Sequence, residues 1–329
     1  MVASSLLYNF VDVSGAVTQA LRTGIEPRFG EFVRIAPARK WIIAADFALS
    51  DPTRYQDVFA FTVFRLQDSF DELLENVRRV ATRDLKTIRR VSEPMLAYLR
   101  SDDRFHFCFL TDKRRSSVGS AANRKAALDV LKSGIDATID RLANASSPAG
   151  LHTLERLKEL RAEAGAKSFR VDRLNNVQLA SVFAAVVTFL LLSSGAKADV
   201  IWMPDRGEVA DYSLDLAGAL WQAHVGWLCQ ENGVRFPDML SVADATGGPS
   251  KKSGWFDELV RIPDYLAGPL SKLDIKNKRI AQPADANASS DKHFQIIEEV
   301  IAPARNMSII LIDANIFNLR AIELTFSPL

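Results

Sequence analysis

The pattern of apolar and polar positions predicts strands towards both ends of the chain and helices between them. Residues 40–49 form an apolar run interrupted by a single carboxylate, Asp46, the pattern of a strand buried on both faces. The turn residues Ser50-Asp51-Pro52-Thr53 follow, and 57–65 is aromatic and β-branched, so the two runs read as an antiparallel pair. From Gln67 to about Arg100 the period lengthens. Phe70, Leu73, Leu74, Val77 and Val80 recur at helical spacing, and Pro94 is expected to break or restart the helix. Residues 105–110 predict a further strand and 111–120 a polar loop.

Helices are expected over 121–143, 151–164 and 172–193, the last ending before Gly195. Residues 198–205 read as a short buried strand ending in a carboxylate, 208–231 as a helix, 236–243 as a short strand and 246–254 as a flexible loop. Residues 255–270 are expected to be helical in part, with Pro263 in a first turn. The stretch 276–291 has linker composition, and 307–313 with 317–326 supply one or two final strands. A helix around 11–22 precedes all of this. The order predicts a mixed α/β protein.

One segment needs a separate decision. No charge occurs from Leu174 to Ala196, and the dense apolar part, 179–192, is 14 residues long. A membrane span needs about 20, so a buried core helix is expected and no stable membrane insertion. The N-terminus has neither a basic region nor a long apolar one, which predicts a cytoplasmic protein without a signal peptide.

Composition removes other classes. With 41 Lys+Arg against 40 Asp+Glu and 48% hydrophobic residues in 329, the chain is neither disordered nor uniformly basic. Cys108 and Cys229 are the only cysteines, and the four histidines are scattered, so neither a disulfide framework nor a zinc cluster is expected. Glycine-rich phosphate loops and a G-x-S-x-G elbow are absent, which argues against nucleotide-driven motors and serine hydrolases.

Three aspartates stand out by context. Asp46 lies inside an apolar strand, Asp205 where another strand ends, and Asp264 in Ile262-Pro263-Asp264-Tyr265-Leu266-Ala267-Gly268 at an expected helix start. An ionisable group in an apolar strand is costly unless paired or metal-bound. Carboxylates from adjacent strands and a nearby helix suit Mg²⁺ or Mn²⁺, which could activate water for phosphodiester hydrolysis. Glu72, Glu75, Glu208 and Asp244 are alternative sources of a fourth ligand. The ordered trio resembles the RNase H-like fold. The Pro263–Gly268 stretch is similar to the Ala-Asp-Leu-x-Ala-Gly signature of a large, poorly characterised bacterial RNase H-like family, whose first strand usually carries Asp-Glu-Ser-Gly. Here Asp46 is followed by Phe47-Ala48-Leu49, so that Glu is missing.

The resemblance covers 40–65 and 198–270. It implies an RNase H-like mixed sheet with a large, mainly helical insertion. The corresponding division is an N-terminal extension (1–39), the first strands of the core (40–65), the insertion with one candidate core strand (66–197), the second half of the core (198–275), and a linker with C-terminal strands (276–329).

The neutral total conceals opposite halves. Residues 65–125 hold 14 Lys/Arg and 9 Asp/Glu, whereas 198–270 hold 5 and 11. Arg79, Arg83, Lys86 and Arg90 recur at helical spacing, and Lys113, Arg114 and Arg115 form a second basic group. Such a stripe can follow a phosphate backbone. The expected function is therefore a divalent-metal-dependent nuclease or phosphoryl-transfer enzyme acting on nucleic acid, with Asp46, Asp205 and Asp264 as catalytic metal ligands. The alternative is a catalytically inactive interaction or scaffold protein of the same fold.

Overall fold

The computed structural model describes residues 10–35, 38, 40–67, 69–112, 121–143, 148–164, 166, 169–196, 199–207, 209–243, 255–275, 279–280, 291–314 and 319–326. Among them the strands are β1 (Lys40–Ala48), β2 (Gln56–Leu66), β3 (Arg104–Asp112), β4 (Asp199–Pro204), β5 (Leu240–Val242), the short pair β6 (Leu273–Asp274) and β7 (Arg279–Ile280), β8 (Met307–Ala314) and β9 (Leu319–Glu323). Seven of these form one mixed sheet in the order β5-β4-β1-β2-β3-β8-β9. β1, β2 and β3 make an antiparallel meander. β4 runs parallel to β1, and β5 parallel to β4. On the other side β8 runs parallel to β3, and β9 returns antiparallel to it. The α/β class expected from the sequence is what forms.

The helices are α1 (Phe10–Gly24), α2 (Glu26–Ile35), α3 (Phe70–Val80), α4 (Glu93–Arg100), α5 (Ala121–Leu142), α6 (Pro148–Glu163), α7 (Val171–Ser193), α8 (Ala210–Glu231), α9 (Asp257–Ser271) and α10 (Lys292–Ile296). They cover both faces of the sheet, which is why β1 and β2 are apolar at nearly every position. In β1, Trp41, Ile43 and Ala45 enter one core with α1, α2, α7 and α8. Ile42, Ala44 and Ala48 enter the other with α3, α4 and α9.

α7 is apolar all round because it is enclosed all round. Phe183 stacks on Phe109 of β3 at 4.3 Å and meets Phe59 of β2 edge-on at 5.2 Å. Two of its polar groups meet α8: the Ser181 hydroxyl donates to Ala217 O at 3.0 Å, and the Trp221 indole donates to Thr188 Oγ1 at 3.0 Å. It is the one described helix long and apolar enough to cross a membrane, and 94% of its apolar window is buried inside the protein.

Several expectations change. Residues 10–35 form two helices whose Val13, Val17, Leu21 and Phe29 are fully buried in the main core, so they are not an appendage. The segment 66–197 brings its candidate core strand, β3, to the middle of the sheet and its expected buried helix, α7, to the core. The long helix expected from Gln67 to Arg100 is two helices joined by an irregular stretch with a 3₁₀ turn at Leu85–Thr87. Pro94 sits in the first turn of α4, where its missing N–H is harmless. Between the helices Leu85 and Val91 are buried against α9 and its neighbours, and their spacing does not suit a helix face. Pro263 is not in a first turn. α9 starts at Asp257, which places Pro263, Asp264 and Pro269 in its interior.

Candidate functional site

The three aspartates reach one face of the sheet by different routes. Even-numbered residues of β1 face α9, so Asp46 points to that side while its neighbours Ala45 and Phe47 point away. β4 lies beside β1 in parallel register with Ala45 opposite Pro204, and the Asp205 N–H donates to Ala45 O at 2.8 Å. Asp205 therefore stands next to Asp46 on the same face.

Asp264 arrives from above on α9. Small residues let this helix settle close to the sheet: Ala44 and Ala60 below it and Ala267 on the helix are all fully buried. Gly268, one turn beyond Asp264, touches the 3₁₀ turn so closely that a Cβ there would lie 2.8 Å from Leu85 Cδ2. A register that places Ala60 opposite Asp46 leaves the carboxyl unobstructed from the neighbouring strand. All three aspartates remain half-buried, in contrast to the closed core around them.

The carboxyls perturb one another. Asp46 is held well above the usual carboxylate range, first by burial, then by the charges of Asp264 and Asp205 and by a hydrogen bond shared with Asp205. Two carboxyls can share a hydrogen bond only if one keeps its proton. Asp46 is that group. Asp205 is itself raised to about 6 by burial and nearby acids, against the Arg206 N–H and the Asp46 hydrogen bond. Asp264 is raised by burial and by Asp84, opposed by Lys86, by the Leu85 N–H and by Arg54. Asp264 does not cap a helix start; its carboxyl accepts from a turn that another part of the chain delivers.

That turn is firmly held. The Tyr265 hydroxyl donates to Arg83 O at 2.8 Å, Arg261 pairs with Asp84 at 2.8 Å, and Lys292 donates to Leu85 O and Ile88 O at 2.5 and 2.8 Å. Lys86 is thereby fixed near the trio, where it attracts both Asp46 and Asp264.

The other expected basic residues behave differently. Arg79 pairs with Glu75 at 3.5 Å on the exposed face of α3, which also occupies one of the candidate fourth ligands. Glu72 is exposed on α3, where its N–H donates to Ser69. Arg83 and Arg90 are exposed in the irregular stretch between α3 and α4. Arg79, Arg83, Lys86 and Arg90 therefore do not form one helical face, because the helix that would align them ends at Val80. Lys113, Arg114, Arg115, Glu208 and Asp244 lie outside the described residues.

Two cations near Asp264 were not expected: Arg54 from the β1–β2 turn and Lys292 at the start of α10. Lys272, directly after α9, lies beside Lys292 and His293. The sequence carried a usable signal for Arg54, because a residue in the hairpin beyond Asp46 lies near the carboxylates once the hairpin and α9 share a face.

All four histidines were expected to be ordinary, and His106 is. Fully enclosed between β2, β3 and α4, it is depressed to about 3 by burial and by Arg104. Thr62 and Leu99 O each lie 3.0 Å from its two ring nitrogens. Two concavities, of about 120 and 240 Å³, lie away from the trio, one beside β8 and β9 and one at the end of α7. Neither contains a titratable cluster comparable to the aspartates.

The donor set is all hard carboxylate oxygen, which suits Mg²⁺ or Mn²⁺ rather than a thiophilic metal. As the side chains stand, no three His, Cys, Asp or Glu among the described residues close around a single ion position. The pair Asp46–Asp205 is in contact through a proton, and Asp264 faces it. A cation would replace that proton. Comparison with known proteins adds no assignment: the chain matches no protein-family model, no characterised protein and no solved structure.

Proposed function

We propose that the chain is a divalent-metal-dependent nuclease or related phosphoryl-transfer enzyme acting on nucleic acid, built on an RNase H-like core. The observation that carries the reading is the gathering of Asp46, Asp205 and Asp264 on one face, with carboxyls raised by burial and by one another. Support for the RNase H-like assignment is positional: an Asp within β1, a second at the end of the adjacent parallel strand, and a third on a helix packed over both. Gathered acids are destabilising without a cation, and structural ion pairs would not collect them in this way.

Asp46, Asp205 and Asp264 would hold Mg²⁺ or Mn²⁺, which when bound lowers the pKa of a coordinated water and offsets charge on a phosphoryl oxygen. The chain's own part is to place the acceptors. β1 and β4 fix two carboxyls in neighbouring register, and α9 lowers the third between them and Lys86. Lys86 stands where it can attract a phosphate. The Glu missing after Asp46 does not weaken this. Phe47 points into the opposite core, edge-on to Phe59 and Phe61 at 5.7 and 6.0 Å, so a side chain at 47 would not face the trio.

The test is cleavage of single- and double-stranded DNA, RNA and hybrid with Mg²⁺, Mn²⁺ or EDTA. We expect metal-dependent cutting that Asp205→Asn and Asp264→Asn reduce by a factor on the order of a hundred or more. No cleavage of any substrate, or cleavage unchanged in both variants, would overturn the reading in favour of an interaction protein that keeps the fold without the chemistry.

A further inference from the structure

Among the described residues, His293 is the histidine with an unmatched buried ring nitrogen. Its residue exposure is 6%, yet the ring Nδ1 has no hydrogen-bond partner. The nearest carboxylate oxygen, on Asp291, is 3.7 Å away and already accepts the His293 backbone N–H at 2.8 Å. Buried polar atoms in folded proteins are almost always matched, so an unmatched one points to something that joins it. The charges that face this ring are Lys272, Lys292, Arg54 and Asp291, three cations to one acid. They come from the end of α9, the start of α10 and the β1–β2 turn, segments distant in sequence.

Such an arrangement is unfavourable for the protein alone. The cations repel one another and the ring cannot relieve them by taking a proton; burial and the neighbouring Lys272 depress it to about 4. An anion would resolve each part of this. It would receive an imidazole N–H and offset the facing charges, and its hydrogen bonds to ionised donors would be the strong kind. Lys292 is already engaged with Leu85 O and Ile88 O, and Arg54 with Asp51 at 2.9 Å. Lys272 has no salt-bridge partner among the described residues, and its side chain is half-buried at the C-terminal cap of α9.

The position of the cluster supplies the ligand class. Arg54 and Lys292 each also face Asp264, so the cationic group and the carboxylate trio are neighbours along one surface. We propose that Arg54, Lys272 and His293 form a phosphate-binding subsite beside Asp264, holding a phosphate of the nucleic-acid chain next to the one the trio acts on. This rests on the nuclease reading for its choice of polymer. The chemistry recognised is a phosphate oxyanion, whether an internal phosphodiester or a terminal phosphate.

The experiment measures binding with cleavage switched off. In EDTA, the wild type, Lys272→Ala and Lys272→Arg are titrated with a short single-stranded DNA, with and without a 5′-phosphate, at several salt concentrations. In parallel, the His293 ring resonances are followed by NMR during titration with inorganic phosphate. We expect phosphate to shift the His293 resonances, and Lys272→Ala to weaken binding roughly tenfold with a salt slope lower by about 0.7, while Lys272→Arg retains most of the affinity. A loss equal for both oligonucleotides identifies a chain phosphate; a loss confined to the phosphorylated one identifies a terminal phosphate. Unmoved His293 resonances together with unchanged affinity in Lys272→Ala would overturn the subsite. That result leaves metal-dependent cutting intact, whereas a protein that binds phosphate at His293 but cuts nothing retains the subsite and loses the nuclease reading.

Discussion

Asp205 carries a pH dependence that separates its cost to the fold from its use. Its folded pKa of about 6 lies above the ordinary value of 3.8, so between those values the native state binds more protons than the unfolded chain. The contribution to stability is complete below the unfolded pKa and is lost as pH rises through 6. At pH 8 the ionised carboxyl beside Asp46 and Asp264 opposes folding. Asp205→Asn removes that charge and leaves a group that can donate to Asp46. We predict that urea unfolding in EDTA finds the variant more stable than wild type by about 1–2 kcal/mol at pH 8, with a smaller difference at pH 5. Equal differences at both pH values would mean that the carboxyl is not repelled. The aspartates were legible in the sequence because a charge inside an apolar run is conspicuous. His293 was not, since its meaning lies in an unmatched ring nitrogen and in cations brought from three separate segments.

The elements divide their work between the two faces of the sheet, and two substitutions separate these roles. Phe183 on α7 packs against Phe59 and Phe109 on the face away from the aspartates. Phe183→Ala should destabilise by about 3–5 kcal/mol, from lost burial and a cavity, while the folded fraction keeps the wild-type cleavage rate. Denaturant titration and kinetics on the same sample test this. Gly268 on α9 lies on the other face. An alanine there gains helix propensity of about 1 kcal/mol but presses on Leu85. Gly268→Ala should therefore change the melting temperature little and lower kcat, because the turn that brings Lys86 and the Leu85 N–H to Asp264 is displaced. Unchanged kcat would show that the turn tolerates the shift. Element type was readable where an apolar run was nearly unbroken, as in β1, β2 and α7. The helix expected through 67–100 was not formed, because the spacing that defines α3 stops at Val80 while Leu85 and Val91 are buried by contacts with α9 and its neighbours. No local pattern contains that information.

For the whole molecule, near-neutral charge is the sum of separated fields. Asp46, Asp205 and Asp264 gather on one face, Arg54, Lys86 and Lys292 bear on Asp264, and Lys272 stands beyond Lys292. A divalent cation bound at the trio stabilises only the native state, since the unfolded chain scatters the three carboxyls. We predict that saturating Mn²⁺ raises the melting temperature by several degrees, corresponding to about 2–3 kcal/mol at a hundredfold excess over Kd. In Asp46→Asn and Asp264→Asn the rise should shrink or vanish. The same calorimetric rise in all three proteins would place the metal elsewhere.

The pairing of β1 with β4 sets the order in which this protein can acquire its chemistry. Ala45 and Pro204 are partners although they are about 160 residues apart, and Asp264 follows later still. Long-range parallel pairing is slow because loop closure precedes its reward. During synthesis Asp46 therefore emerges long before either companion, as a solitary acid in a strand that must be shielded from water by other means. No truncated product ending before α9 can hold the complete carboxylate set. If the trio cuts nucleic acid, the cutting function is withheld until most of the polypeptide exists, and a prematurely terminated chain is inert by construction.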